Sequence, residues 1–520
     1  MSGRDEATPG AVFGYEWTRE GKRIFTEFIW GFQDELPCHL SRFSLELPRG
    51  WTAEGFLARH PPVAPRVEQD RYTWELRDLP GVADEPASPP ITSLVPRLLV
   101  SCSPAAGARA EDIVPFSTWS DVARWLDRLT EPMHVPTAEV ETRAREAVRG
   151  ARSEIDTVRS VGRWVQSLRY ASIPLDLSRG GGMRPIPAAT TLARGYGDCK
   201  DKANLMRSML AALGIEASLV PVYAGDSEYA EERWPSPSSF NHCIIAIRRR
   251  GGERLASTVQ DSVLGTLTLF DPTDPLTVLG DLPEWIQGSL ALVVAPGTMA
   301  PLRVPRLASD GLEERRVTLG FMENGAITGR FDAHASGQMA VPLRQLVRTR
   351  GVRERRTAFE RWLSQAVGGV RIVALEAADD SLRGEVTTRL EFELTAHAQY
   401  LQGRLLMFRP FLHPFADGSA LAIAEPRHHP ILLSARALRE TVLVHLPAGF
   451  RVDELPVPIA LDATFGRYAA SVRKSGADLE LTRALDVRAD RLPADRSPEV
   501  RVFYRAIRKF EESPVVLTRD

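Results

Sequence analysis

The sequence has few cysteines, almost no net charge and no long apolar run, and each shortage argues against a class of protein. Four cysteines in 520 residues are too few and too scattered for a disulfide framework, and no Cys-x-x-Cys pair indicates a metal site. The 65 basic and 67 acidic residues leave a net charge of −2, which provides no electrostatic footprint for nucleic acid or an anionic membrane. No stretch approaches the roughly 20 apolar residues of a membrane-spanning helix.

The length and composition are those of a folded protein with several domains. A chain of 520 residues is too long for one hydrophobic core, and its shares of 43% hydrophobic and 25% charged residues are ordinary. Residues 1–6 lack the apolar core of a secretory signal peptide. The three glycines at 180–182 are not followed by the Gly-Lys-Ser/Thr of a phosphate-binding loop, and we predict no cofactor.

The most informative stretch is residues 195–203, Gly-Tyr-Gly-Asp-Cys-Lys-Asp-Lys-Ala, which predicts a turn that opens a helix. Asp198 is a good N-cap, and Gly214 is a candidate for the left-handed residue that ends the helix. Cys199 then falls in the first helical turn, where the helix dipole and the unpaired amides favour a thiolate. Spacings of four and three predict one buried helical face, formed by Cys199, Ala203, Met206, Leu210 and Leu213.

Two downstream strands supply candidates for the base and the acid that a nucleophilic cysteine needs. His242 begins a β-branched run, and Asp271 closes the alternating strand at residues 266–270. An aspartate that ends one strand can reach a histidine that begins a neighbouring antiparallel strand. Taken singly, each residue also has an ordinary explanation as a core cysteine, a satisfied histidine or a turn aspartate. Their order and context favour the catalytic interpretation, and Cys243, on the opposite face from His242, is predicted to be core.

Three motifs carry a resemblance to a known family. The runs Tyr-Gly-Asp-Cys-Lys-Asp-Lys-Ala at 196–203, Phe-Asn-His at 240–242 and Phe-Asp-Pro-Thr at 270–273 closely resemble those of bacterial transglutaminase-like proteins, of the papain-like cysteine enzyme superfamily. The resemblance is strongest from about residue 137 to 296. It implies a papain-like α+β core and a catalytic triad of Cys199, His242 and Asp271.

The strand and helix patterns divide the chain into three regions and predict an α+β fold. We expect a β-rich domain at 1–115, a transglutaminase-like catalytic domain at 116–300, and a β-rich C-terminal region at 301–520, so that β-sandwich-like domains flank the core. Residues 1–115 resemble the later half of a β-domain that commonly precedes such cores. Either this domain is shortened or the start codon is placed late. A late start would also remove a signal peptide and would place the protein in the periplasm or outside the cell.

Within these regions the patterns predict particular elements. We expect helices at 117–129, 138–149 and 155–169, then a loop at 171–194 whose glycines form a cleft rim or a plain connection. Residues 226–239 are predicted to be a polar surface insertion, and 248–265 a connection with a hairpin of its own. In the C-terminal region we expect a hairpin at Asn324-Gly325, one helical region at 342–367, and strands at 371–375, 387–394, 441–446, 479–485 and 500–504. Adjacent histidines on a strand point apart, so His428 and His429 do not predict a metal site.

Two hypotheses for the function follow. In the first, Cys199 attacks a glutamine side-chain amide or a peptide bond of a protein or peptide substrate, while His242 moves the proton and Asp271 orients the imidazole. The Cys199 amide is one oxyanion donor and Gln166 or Tyr170 the second, which spacing does not decide. Water as acceptor makes a protease or amidase, and an amine makes a transglutaminase. The alternative is a catalytically weak scaffold or binding protein of the cell envelope.

Overall fold

The computed structural model describes residues 10–18, 20, 25–104, 116–172, 182–251, 254–307, 311–322, 326–365, 367–395, 397–401, 403–415 and 426–519. Helices and strands are mixed, and the fold class is α+β as predicted. None of the helices in these ranges is long and apolar enough to cross a membrane.

The N-terminal part contains two three-stranded antiparallel sheets that enclose one core. Trp74 is fully buried between them, and Gly55 on the facing sheet leaves room for its indole, which a Cβ would meet at 2.7 Å. The strand orders are β1-β6-β3 and β2-β5-β4, with β1 (Glu27–Gly31), β2 (Cys38–Glu46), β3 (Thr52–Ala58), β4 (Arg66–Glu68), β5 (Arg71–Leu79) and β6 (Arg97–Ser103).

Five helices follow among the described residues, four of them close to the predicted positions. The side chain of Thr118 caps the first and that of Ser153 the third, each by accepting a hydrogen bond from a first-turn amide. The predicted loop at 171–194 contains a short helix, because Pro187 starts a turn that the left-handed Gly195 ends. Gly180 and Gly181 lie outside the described residues. The helices are α1 (Trp119–Thr130), α2 (Ala138–Ala147), α3 (Glu154–Gln166), α4 (Ala188–Arg194) and α5 (Cys199–Ala212).

A six-stranded antiparallel sheet lies against α5, and strands β10 and β12 are neighbours in it, as the sequence indicated. The connection at 248–265 contributes one strand, β11, which forms a hairpin with β12, so it carries no hairpin of its own in the described residues. A separate parallel pair, β7 (Arg169–Tyr170) and β8 (Tyr196–Gly197), joins the end of α3 to the turn before α5. The sheet order is β11-β12-β10-β9-β13-β14, with β9 (Glu216–Val222), β10 (His242–Arg248), β11 (Thr258–Asp261), β12 (Gly265–Phe270), β13 (Leu290–Ala291) and β14 (Leu302–Arg303).

Helix α5 is buried on every side, so the prediction of one buried face was too narrow. Residues 201–210 are all buried, including the polar Asn204 and Arg207. Hydrogen bonds to backbone carbonyls, from Asn204 to Met133 and from Arg207 to Ala217, offset part of the cost of burial, although Oδ1 of Asn204 and Nη1 of Arg207 are buried without a partner among the described residues. The apolar side of α5 packs on Ile245, Ile247 and Phe270 of the sheet.

The C-terminal region is built on an eight-stranded sheet in which only the β15–β22 pair is parallel. Its core is shared with a four-stranded sheet and with helices α7 and α8. The sheet orders are β17-β18-β16-β15-β22-β26-β25-β24, β19-β20-β28-β23 and β21-β27. The strands are β15 (Glu313–Phe321), β16 (Ile327–Ser336), β17 (Val370–Asp380), β18 (Glu385–Leu394), β19 (Ala398–Leu401), β20 (Leu405–Phe408), β21 (Ile431–Leu433), β22 (Arg436–His445), β23 (Arg451–Glu454), β24 (Ile459–Ala463), β25 (Gly466–Ser475), β26 (Asp478–Val487), β27 (Asp490–Leu492) and β28 (Val515–Thr518). The helices are α6 (Gly337–Thr349), α7 (Val352–Ser364) and α8 (Ser497–Glu511).

One C-terminal prediction was imprecise and another was wrong. The helical region predicted at 342–367 is present as the pair α6 and α7, and α6 begins five residues earlier with Pro342 inside it. The strand predicted at 500–504 is part of α8, because spacings of three and four bury Val500, Phe503 and Ile507 on one helical face. The turn Asn324-Gly325 lies outside the described residues, but the strands on either side of it pair antiparallel as predicted.

Residues 226–239, predicted as a polar surface insertion, are instead packed against the N-terminal sheets. Asp226 accepts hydrogen bonds from Thr92 and Ser93 at 2.6 and 2.5 Å, and the Trp234 indole donates to Ser101 at 2.9 Å. The polar residues of this segment therefore meet polar partners from another part of the chain. Polar composition here marks an internal contact rather than exposure.

The N-terminal and C-terminal regions also contact each other directly. The carboxylate of Glu85 accepts hydrogen bonds from the backbone N–H of His428 at 2.8 Å and of His429 at 2.9 Å. The Arg427 guanidinium donates to the carbonyl of Pro86 at 2.7 Å. The two histidines precede β21, so the assumption that they lie on a strand was wrong.

Candidate active site

Cys199 is the first residue of α5, held there by a reciprocal cap. The Asp198 carboxylate accepts from the Asp201 backbone N–H at 3.2 Å, and the Asp201 carboxylate accepts from the Asp198 N–H at 3.4 Å. The second Asp201 oxygen accepts from the Ile186 N–H at 2.7 Å and ties the helix start to the preceding loop. The half-buried thiol of Cys199 therefore lies at the positive end of a well-anchored helix.

His242 and Asp271 meet at the adjacent ends of two neighbouring strands. His242 begins β10, and Asp271 directly follows the last residue of β12. Nε2 of the imidazole lies 3.0 Å from Oδ2 of the carboxylate, and Cys199 is close enough to the ring to raise the pKa of His242. Since Nε2 faces Asp271, Nδ1 is the ring nitrogen left to serve the thiol. The structure thus brings together the three residues that the sequence singled out.

The charges of this pair reinforce each other despite deep burial. Burial acts to lower the pKa of His242, but the charge and hydrogen bond of Asp271 and the contact with Cys199 outweigh it and raise that pKa to about 10. Burial acts to raise the pKa of Asp271, and His242 and Thr273 outweigh it, so that pKa is lowered. Both shifts favour an imidazolium beside a carboxylate.

The two oxygens of Asp271 have different partners. Oδ2 faces His242, while Oδ1 accepts from the backbone N–H of Thr273 at 2.8 Å and from its hydroxyl at 2.7 Å. The second set of contacts is the turn that an Asp-Pro-Thr sequence ordinarily forms. The ordinary explanation of this aspartate as a turn residue therefore applies, and the turn also fixes the angle at which Oδ2 meets the imidazole.

Gln166, one of the two candidates for the second oxyanion donor, is occupied elsewhere. Its side-chain nitrogen lies 3.1, 2.7 and 2.8 Å from the backbone carbonyl oxygens of Asp271, Asp274 and Thr277. An amide nitrogen carries two hydrogens, so these three acceptors take up its donating capacity. Gln166 thus holds the segment that begins with Asp271, which the sequence did not reveal.

Tyr170, the other candidate, lies at the thiol. Its hydroxyl lies close enough to Cys199 for both the thiol and the backbone N–H of that residue to influence the pKa of Tyr170. Burial, together with the nearby Cys199 and Asp198, raises the pKa of Tyr170 to about 12, so the hydroxyl keeps its proton at neutral pH. The ring is 51% exposed, which leaves this side of the site open to solvent.

Two further side chains at the site were missed by sequence reasoning. Trp285 lies edge-on to the His242 imidazole, with ring centroids 5.1 Å apart, and comes from a turn that carries no recognisable motif. Lys202 is fully buried and donates to the carbonyls of Gln166 and Leu168 at 3.3 and 3.1 Å. Burial outweighs the attraction of Asp271 and Asp274 and lowers the pKa of Lys202 to about 8. Lys202 could have been found from the sequence, because it lies three residues after Cys199 in the Cys-Lys-Asp-Lys run.

The remaining chemistry of the region is limited. Cys243 is buried, and burial raises the pKa of its thiol well above the ordinary value, which fits the predicted core position. In the part of the chain that the structure describes, no group of three or more histidine, cysteine, aspartate or glutamate side chains is arranged to hold a metal ion.

Comparison with known proteins identifies two parts of the chain. Residues 141–250 match the model of the transglutaminase-like superfamily, and residues 404–517 match a domain of unknown function with solved structures, DUF3858. The chain therefore contains a transglutaminase-like domain, as its motifs predicted, whereas the second match was not foreseen. The family match supports cysteine-based catalysis at a general level. No curated protein matches the chain.

Two solved structures illustrate the likeness. A putative protease from Parabacteroides distasonis shares 13% identity over 96% of this chain and 76% of its own, with a TM-score of 0.58. At this identity the likeness shows a shared fold alone. A putative cysteine protease from Cytophaga hutchinsonii shares 11% identity over 54% of this chain and 80% of its own, and its TM-score of 0.22 carries no argument.

Proposed function

We propose that this chain is a cysteine enzyme that cleaves or transfers acyl groups at amide bonds, with Cys199 as nucleophile, His242 as base and Asp271 as orienting acid. The observation that carries the proposal is the 3.0 Å contact between the imidazole and the buried carboxylate, at the helix N-terminus where Cys199 lies. A histidine that is paired in this way and also contacts a thiol has the arrangement that activates a nucleophile.

The reaction uses each group in turn. The Cys199 thiolate attacks the carbonyl carbon of a peptide or glutamine side-chain amide, and the carbonyl electrons move to its oxygen. As the tetrahedral intermediate collapses, His242 donates its proton to the leaving amine and a thioester remains. Water or an amine then attacks the thioester, and His242 takes the proton of this second nucleophile. The thiolate is released with either a carboxylic acid or a new amide.

The oxyanion is assigned to donors beside the thiol. We propose the backbone N–H of Cys199 and the hydroxyl of Tyr170, which lie near each other beside the thiol. A substrate oxygen would accept from both. Gln166 is assigned instead to supporting Asp271, because three carbonyl groups occupy its amide.

Selective alkylation tests the nucleophile without knowledge of the substrate. We expect iodoacetamide at pH 6 to modify Cys199 well ahead of Cys38, Cys102 and Cys243, with peptide mass spectrometry as the readout. The Cys199→Ala variant should lose this labelling and keep the melting temperature, whereas Cys243→Ala should lose stability and keep the labelling. Equal reaction at all accessible cysteines would contradict the proposal and favour the scaffold.

A second measurement separates the two acyl acceptors. A glutaminyl peptide and an unmodified protein substrate are incubated with and without a fluorescent primary amine. Amine incorporation that depends on Cys199 would identify a transglutaminase, and Cys199-dependent cleavage or ammonia release would identify a protease or amidase. The absence of all three products from a chain that passes the alkylation test would exclude these substrate classes.

A further inference from the structure

The segment that begins with Asp271 is held from two sides, and one of these sides belongs to the C-terminal region. From within the core, Gln166 binds three carbonyl groups of residues 271–277, as described above. From outside, helix α6 reaches the same segment with two arginines. The Arg344 guanidinium donates from Nη1 to the carbonyl of Leu276, and the Arg348 guanidinium donates from Nη1 to the carbonyl of Pro275.

A single carboxylate fixes the two arginines. Nε of Arg344 lies 3.1 Å from Oδ1 of Asp379, and Nε of Arg348 donates to Oδ2 of the same carboxylate. Asp379 lies on β17 at the edge of the eight-stranded sheet. Guanidinium groups hold a planar fork of donors, so each arginine can bind the carboxylate and a carbonyl at the same time. The sheet edge, α6 and the segment after Asp271 are thereby joined.

The burial of Arg344 makes this contact expensive to break. Its side chain is fully buried, although it lies between two parts of the chain rather than inside one core. A buried guanidinium that loses its partners leaves an uncompensated charge. A second bond between the same parts joins the side-chain nitrogen of Gln338 to Asp281 at 2.7 Å. The core therefore keeps one orientation relative to α6 at the point where residues 275 and 276 are bound.

We propose that Arg344 and Arg348 are positioning residues for the catalytic acid, so that the C-terminal region supports the reaction instead of forming an independent module. The inference rests on the proposed function. The arginines fix carbonyl groups four and five residues beyond Asp271, and Gln166 fixes the carbonyl of Asp271 itself. Without the outer contacts the turn can shift, the 3.0 Å bond to His242 lengthens, and the imidazolium loses part of its stabilisation.

The test follows the pH dependence of Cys199 alkylation by iodoacetamide in the full-length chain. The wild-type rate should rise to a plateau as the pH increases and then show a second transition near pH 10, where His242 loses its proton. In Arg344→Met the second transition should move down by about one pH unit, the scale on which a weakened charge contact shifts a pKa. Arg344→Lys retains one charged donor, so its second transition should lie between those of Arg344→Met and the wild type.

Three further variants separate positioning from folding. Arg348→Met removes the less buried arginine and should move the transition in the same direction with a smaller loss of melting temperature. Arg483→Met removes a fully buried guanidinium that pairs with Glu440 and Glu511 in the C-terminal core, and should lower the melting temperature without moving the transition. Arg439→Met removes a half-exposed pair with Asp486 and should change neither.

The outcomes distinguish this inference from the proposed function. A wild-type chain without a plateau and a second transition would show that Cys199 and His242 do not act as a pair, and the proposed function would fail. The inference alone would be overturned if the wild type shows both features but Arg344→Met and Arg348→Met, while folded, have the second transition at the same pH as the wild type. Once a substrate is found, the arginine variants should lower kcat about tenfold with little change in KM, as loss of transition-state stabilisation does.

Discussion

Asp271 serves the turn with one oxygen and the histidine with the other, and this division determines what its replacement does. In Asp271→Asn, the side-chain oxygen can still accept from Thr273 while the new NH2 group faces Nε2 of His242. The imidazole must then carry its proton on Nδ1, towards the thiol, where it cannot act as a base. We expect turnover to fall by about two to four orders of magnitude, by analogy with other triads, and the melting temperature to change little.

A double-mutant cycle on a cleaved or transferred substrate measures this effect. Removing His242 first should make Asp271→Asn nearly silent, because residues that act as a unit are not additive. Asp271→Ala also breaks the turn with Thr273, and it should lose melting temperature as well as turnover. Independent, additive losses of turnover would leave Asp271 as a turn residue only.

At the scale of single residues, the sequence predicted much of the candidate site, because the signals are local. The N-cap at Asp198, the position of His242 at a strand start and the position of Asp271 after a strand end each depend on a few neighbouring residues. The role of Gln166 could not be predicted, since its partners are backbone carbonyls more than a hundred positions away. The same reason hides Trp285 and Arg344, whose contacts exist only once distant segments meet.

At the scale of elements, α8 shows how composition can mislead. Residues 500–504, Val-Arg-Val-Phe-Tyr, are rich in the β-branched and aromatic side chains that strands prefer. Over a longer window the spacing of Val500, Phe503, Ile507 and Phe510 is helical, and Pro498 suits a first helical turn. Packing of that face on the C-terminal core decides the outcome, and a five-residue window is too short to detect it.

Alanine substitutions at two valines test the assignment of α8. Val500 is fully buried and Val502 is 68% exposed, whereas on a strand positions 500 and 502 would share one face. We expect Val500→Ala to lower the free energy of unfolding by about 2 kcal/mol and Val502→Ala to change it by less than about 0.5 kcal/mol. Chemical denaturation measures both, and equal losses would argue for a strand.

At the scale of the whole molecule, each flanking region holds one strand-end segment of the candidate site. The N-terminal sheets bind residues 226–239, which lead directly into His242, and α6 binds the segment that follows Asp271. The sequence predicted the α+β class. It could not predict these contacts, because they pair polar residues from different regions and polar composition alone suggests exposure.

Glu27 makes the contact between the N-terminal sheets and residues 226–239 dependent on pH. It lies on β1, accepts from the Ser236 hydroxyl at 3.2 Å, and its other oxygen is buried without a hydrogen-bond partner. Burial, opposed by the bond from Ser236, raises the pKa of Glu27 from 4.5 to about 7. Because the folded pKa is raised, the folded chain is favoured fully below pH 4.5, and this stability is lost as the pH rises to about 7.

Thermal unfolding between pH 4 and 8 measures this effect. Glutamine keeps the shape of Glu27 without its charge, so Glu27→Gln is the reference. The free energy of unfolding of the wild type, relative to that of Glu27→Gln, should fall by up to ~3 kcal/mol between pH 4 and pH 8, at roughly 1.4 kcal/mol per unit of pKa shift. Glu75→Gln, on the exposed side of the N-terminal sheets, is the control and should not remove the slope. A pH-independent difference between wild type and Glu27→Gln would contradict the assigned pKa.

The contacts of α6 with the segment after Asp271 also have a consequence for synthesis. Cys199, His242 and Asp271 leave the ribosome before Arg344, Arg348 and Asp379. A growing chain therefore carries the proposed nucleophile and base while Asp271 still lacks the contacts that α6 provides. Full reactivity would have to wait for the C-terminal region, so that an unfinished chain exposed to its neighbours would be a poor catalyst.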